Sequence, residues 1–151
     1  MRKTKKIKYN VLLVSLMDFR KETQSTKNYL NSVGYSAEYI LTEENPKSKE
    51  NILGYDEIEY SSNIFNKGYL KDEFNLIQRS NALIILNYDL GLKKAYVSDE
   101  IRFCLKLGYI LDKRLFVLNN LDINGVKSKK SSLIKPIYLR GDIYNIENYL
   151  Y

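Results

Sequence analysis

Five side chains have the type and placement for chemistry: Asp18, Asp89, Asp99, Glu100 and Cys104. Histidine is absent and Cys104 is the sole cysteine, which excludes a Ser-His-Asp triad, a Cys-His pair, an imidazole base, an intramolecular disulfide and a Cys/His zinc site. Acid–base work then falls to Asp, Glu, Tyr or Lys. Asp89 follows an apolar run, where apolar surroundings would raise a carboxylate toward catalytic use; capping a turn is its plainer role. Asp99 and Glu100 open a helical pattern, where carboxylates favour the positive end of the helix dipole whatever else they do. Cys104 falls one turn after Glu100 on the same face. With no imidazole to activate it, it reads as a small core residue rather than a nucleophile.

The elements that would position these groups lie between Asn81 and Asn120. Ala82-Leu83-Ile84-Ile85-Leu86-Asn87 is an apolar run of strand length, too short for a helix, ended by Asn87-Tyr88-Asp89. Ser98-Asp99-Glu100 then opens a helix whose apolar positions Ile101, Cys104, Leu105, Gly108 and Leu111 recur at steps of three and four. Asp112-Lys113-Arg114 closes it, and Leu115-Phe116-Val117-Leu118 is a second buried strand ending at Asn119-Asn120. This is one βαβ unit, so its strands should be parallel.

An earlier unit has the same form. Tyr9 to Leu16 is a buried strand, stopping at Met17-Asp18-Phe19. Phe19, Thr23, Thr26, Leu30 and Val33 form one helical face, Gly34 sits at a left-handed cap, and Tyr35 to Leu41 resumes as a strand. From Thr42 to Lys67 periodicity fails, and Tyr55, Tyr60 and Phe65 suggest a loop that packs over a site, with a short helix around Tyr55 to Tyr60. Gly68 to Ser80 is helical again, with Tyr69, Leu70, Phe74 and Ile77 inward. After a polar connection to Pro136, Ile137-Tyr138-Leu139 is a last short strand, and Ile143 to Leu150 a closing helix or helical turn.

The order predicts an α/β three-layer sandwich with a mainly parallel five-stranded sheet in flavodoxin-like order 2-1-3-4-5. Ligands in such sheets bind beyond the carboxyl ends of the strands, at the switch point between the first and third. Leu16-Met17-Asp18, Tyr88-Asp89, the start of the Ser98 helix and Asn119-Asn120 should share that crevice.

At 151 residues the chain fits one domain at 9-151 behind a basic N-terminal tail at 1-8. The net charge of +6 owes much to Arg2, Lys3, Lys5, Lys6 and Lys8 and to Lys127, Lys129 and Lys130. No apolar run reaches the roughly 20 residues that cross a bilayer, and with one cysteine a reducing cytoplasm is the expected setting. The first strand is followed by no glycine-rich phosphate loop, which argues against a nucleotide triphosphatase or a classical dehydrogenase.

The run Asn81 to Asp89, then Tyr96-Val97, then Leu107 to Asn119, resembles the nucleoside 2-deoxyribosyltransferase-like family. Lys135-Pro136-Ile137-Tyr138-Leu139-Arg140-Gly141-Asp142 is similar to its closing segment. The resemblance implies a nucleoside or nucleotide in the switch-point crevice and cleavage of its N-glycosidic bond by a Glu carboxylate, with an aspartate assisting and neither metal nor cofactor required. On this chain it makes Asp89 the supporting acid–base and Ser15, Met17, Asp18, Tyr88, Ser98, Asp99, Cys104 and Asn119 the residues around the substrate. Aligned without gaps, the family's nucleophilic Glu falls on Cys104 and its Gly-Ser turn on Ser15-Leu16, where Leu16 would crowd the sugar or phosphate. Glu100 is the substitute nucleophile, displaced one turn, or about 6 Å along the axis.

Three functions follow as expectations. The first is a nucleoside- or nucleotide-binding protein acting at the N-glycosidic bond through a degenerate site. The second keeps the pocket as a non-catalytic nucleotide sensor or regulator. The third is nucleic-acid or partner binding through the basic termini. The family's habit of completing a site with a neighbour's C-terminus implies a homo-oligomer, with which Tyr149-Leu150-Tyr151 is compatible.

Overall fold

A computed structural model describes residues 9–43, 69–120 and 134–150. The tail at 1–8, the aromatic residues of the long connection and the Lys127, Lys129 and Lys130 cluster lie outside the described residues. Five strands form one sheet: β1 (Asn10–Leu16), β2 (Ser36–Thr42), β3 (Ala82–Ile85), β4 (Arg114–Val117) and β5 (Ile137–Tyr138). Their order is 2-1-3-4-5 and every neighbouring pair is parallel, as the alternation of strand and helix predicts.

Burial on both faces explains why the central strands read as unbroken apolar runs. Val11, Leu13, Ala82, Ile84 and Phe116 point to one core, which also takes Leu30 of helix α1 (Arg20–Ser32) and Ile146 of the closing 3-10 segment (Ile143–Asn148). Leu12, Val14, Leu16, Leu83, Ile85, Leu115 and Val117 point to the other, beneath helices α2 (Tyr69–Arg79) and α3 (Asp99–Ile110). The sheet thus lies between two helical layers. Leu16, expected to crowd a ligand, is buried in the second core with Ile77 and Ile101.

Helices α1 and α3 end in the same way. Gly34 (φ +104°) follows α1, with Tyr35 N–H donating to Leu30 O at 3.0 Å; Asp112 (φ +57°) follows α3, with Lys113 N–H donating to Gly108 O at 2.9 Å. Each is a left-handed cap satisfying carbonyls of the last turn. Val33, expected on the inner face of α1, is 42% exposed because the chain is already leaving the helix there. The closing helix is confined to 3-10 turns, begun by Asp142, whose carboxylate accepts from Tyr144 N–H at 2.9 Å. Among the described residues no helix is long and apolar enough to cross a membrane.

Candidate functional site

The strands deliver several polar groups to the carboxyl edge, where they bind one another. Ser15, Thr42 and Ser98 are all buried. Ser15 Oγ donates to Leu86 O (3.3 Å), while Thr42 Oγ1 lies 3.4 Å from both Ser15 O and Ser98 Oγ. Ser98 is the N-cap of α3, its Oγ accepting from Ile101 N–H at 3.2 Å. These contacts join the ends of β1 and β2 to the start of α3, so two expected site residues, Ser15 and Ser98, do converge.

Asn119 has a different role. Asn87 Nδ2 donates to Asn119 O and Asn87 Oδ1 accepts from Asn119 N–H, both at 2.8 Å, while Asn119 Nδ2 returns a bond to Asn87 O at 2.9 Å. The pair fastens the ends of β3 and β4. Tyr88 is half-buried on the α1 side, its ring 5.1 Å from that of Phe19, and burial raises its hydroxyl above the ordinary value. Met17, Asp18 and Asp99 are exposed.

Asp89 corrects the expectation of a raised, hydrophobically enclosed carboxylate. Its side chain is exposed; Oδ1 accepts from Ala95 N–H at 2.8 Å and Oδ2 meets Lys94 Nζ at 3.2 Å. The Ala95 bond first, and then Lys94, hold its pKa below the usual carboxylate range. Asp89 closes a turn, in which Leu90 and Lys93 exchange backbone bonds at 2.8 and 2.9 Å and Ala95 takes φ +45°. Such an acid, charged and outward, is no proton reservoir.

The perturbed carboxylate lies elsewhere. Glu73, on α2, is half-buried facing α3, and Cys104 Sγ approaches its Oε2 at 4.0 Å. Burial, and after it the negative charge of Glu100, push Glu73 up to about 7. Cys104 is fully buried, and burial, then Glu73 and Glu100, drive its thiol well above the ordinary value. The thiol stays protonated, in keeping with a core role. Glu73 was missed because a single acid within an amphipathic helix looks like surface. Its spacing was the available signal: it stands four residues before buried Ile77, on the inner stripe.

Sheet and site together define a parallel α/β sandwich with two interacting carboxylates, Glu73 and Glu100, where α2 packs against α3. Compared with family models, with curated proteins and with solved structures, the chain finds no match.

Proposed function

We propose that this protein binds a nucleoside or nucleotide beside the carboxyl edge of its sheet and acts on the N-glycosidic bond, as the resemblance to the nucleoside 2-deoxyribosyltransferase-like family implies. The observation that carries this reading is the Glu73–Glu100 pair, one of whose members is pushed up to about 7. Glycosidic chemistry needs a charged carboxylate at the anomeric carbon and a second that holds a proton near neutral pH. Glu100 takes the first role. Glu73 takes the proton-holding role assigned to Asp89 from sequence, and the proton passes to the departing base. A second reading, a nucleotide sensor without catalysis, draws support from Cys104 at the place of the family's nucleophile and from Asp89 being committed to Lys94 and Ala95. The setting proposed is a reducing cytoplasm, which the single cysteine favours.

The test is release of free base, followed by chromatography, from a panel of nucleosides, nucleoside monophosphates and pyridinium dinucleotides, the last because their base leaves without needing a proton. Glu100→Gln should lower release at least a hundredfold. Glu73→Gln should lower it most for bases that must be protonated to leave. Saturable binding without release, unchanged in Glu100→Gln, would establish the sensor reading instead.

A further inference from the structure

The outer face of α3 bears a surface that the carboxylate site does not use. Arg102, Lys106 and Tyr109 follow at steps of four and three, so they form one exposed ridge. Beside it Phe103 and Ile110, seven residues apart, are 39% and 71% exposed, and Tyr109 is 47% exposed. Tyr109 also lines a groove of about 330 Å³ with Lys113, Arg114, Leu115, Lys135 and Ile137. Among the described residues that lining contains three cations and no acid. Lys113 Nζ donates to Gln78 O and Arg114 Nη1 to Tyr149 O, both at 2.7 Å, so each head group is held by the fold with further donors remaining, the Arg114 guanidinium lying over the Phe116 ring at 5.5 Å.

We propose that this ridge and groove form a track for single-stranded nucleic acid. On α3 aromatic and basic residues interleave, with Phe103 beside Arg102 and Tyr109 between Lys106 and Lys113. Phe103 and Tyr109 stand six residues apart, about 9 Å along the axis and about a third of a turn around it, so a strand that crosses the helix obliquely can stack separate bases on them while Arg102 and Lys106 meet the phosphates between. Charge selects the occupant. The exposed acids of this stretch, Asp99 and Asp112, stand at its two ends; between them a second copy docked face to face would set Arg102 and Lys106 against their own kind, whereas a polyanion neutralises them. The surface is independent of Glu73 and Glu100, so its fate does not depend on the glycosidic reading.

The experiment is fluorescence anisotropy of the full chain with fluorescein-labelled 20-mers of dT and of U from 50 to 200 mM salt. Binding should weaken steeply with salt. Arg102→Glu with Lys106→Glu should weaken it at least tenfold and lower the log–log salt slope by about 1.4, at about 0.7 per lost single-strand phosphate contact. Tyr109→Ala should weaken it about tenfold and Tyr109→Phe far less. Arg20→Glu with Lys21→Glu, exposed on α1 across the sheet and equal in charge change, should cost less than about threefold. The proposal is overturned if the chain does not bind at 50 mM salt, or if the α1 pair matters as much as the α3 pair. It is equally overturned if reversing Lys3, Lys5 and Lys6 alone abolishes binding, or if polyglutamate of equal charge displaces the oligonucleotide as well as unlabelled dT does, since the partner would then be an acidic polypeptide.

Discussion

The Cys104 thiol lies 4.0 Å from Oε2 of Glu73, and the sulfur is completely enclosed while the carboxylate is half-buried. Glu73 makes a thiolate at Cys104 harder to form, and Glu100, after burial, opposes negative charge on both. Further negative charge between α2 and α3 is therefore costly. This gives Glu73 its proton near neutral pH and keeps Cys104 a thiol.

Glu73 makes stability depend on pH in a stated direction. An unfolded Glu loses its proton near 4.5, but the folded protein holds this one until about 7. Between those values the native state binds more protons, so stability falls as pH rises, with the penalty absent below 4.5 and complete above about 7. Since the group is partly solvated, the effect is about 1–2 kcal/mol after discounting for screening. Urea unfolding at a series of pH values should show Glu73→Gln more stable than the parent by that amount at pH 8 and equal to it at pH 4. Parallel curves for the two proteins would refute the assignment.

Placing a carboxylate at position 104 by Cys104→Glu should harm this chain. The position is fully buried, and the new side chain would be larger and would face Glu73 and Glu100. Burying a third acid there combines overpacking with desolvation, about 3 kcal/mol or more. The loss should be smaller at pH 4 than at pH 8, because the carboxyls are then closer to neutral. A urea midpoint unchanged at pH 8 would show that the contact between α2 and α3 accommodates charge, against the account of Glu73.

The sheet was legible because its physics is local and repetitive. Ala82 to Ile85 reads as a central strand because both faces are covered, and Ser98 reads as a cap because a serine precedes Asp99-Glu100 and an apolar period. Gly34 marks a helix end because a left-handed residue is needed there. The site was less legible, since side-chain partners across the fold leave no pattern in the sequence. Asp89 stands in the expected place, but its charge is set by Ala95 N–H, which reaches it only because the intervening turn closes. Glu73 matters through a helix 31 positions away at Cys104. Asn87 looked like the end of an apolar run until its contacts with Asn119 were seen.

Asn87 should be among the more sensitive polar positions. It is fully buried, and its amide satisfies both the N–H and the C=O of Asn119. Asn87→Ala leaves those two groups without partners, a loss of about 2–4 kcal/mol at about 1–2 per bond. Asn119→Ala removes only the returning bond to Asn87 O and should cost about 1 kcal/mol. Thermal unfolding of the two variants tests the ranking, and equal losses would contradict it.

Gly108 sets two opposing effects against each other. It lies inside α3, where replacing Gly by Ala favours the helix by about 1 kcal/mol. An added Cβ would sit 2.9 Å from Leu115 Cδ2 and 3.0 Å from Leu83 Cδ2, both on buried side chains of the sheet beneath. Those methyls are the ends of rotatable chains, but Leu83 is wholly enclosed in the core, and overpacking of this kind costs about 1–3 kcal/mol. Packing should win, with Gly108→Ala destabilised by about 1 kcal/mol. Leu115→Ala alone should cost about 2–4 kcal/mol through the cavity it leaves, yet adding Gly108→Ala to it should cost nothing further or regain some stability, because the nearest clash is gone. A double-mutant cycle in urea with coupling of about 1 kcal/mol or more in that direction supports the close approach of α3 to the sheet; additive losses would mean that the helix stands farther off.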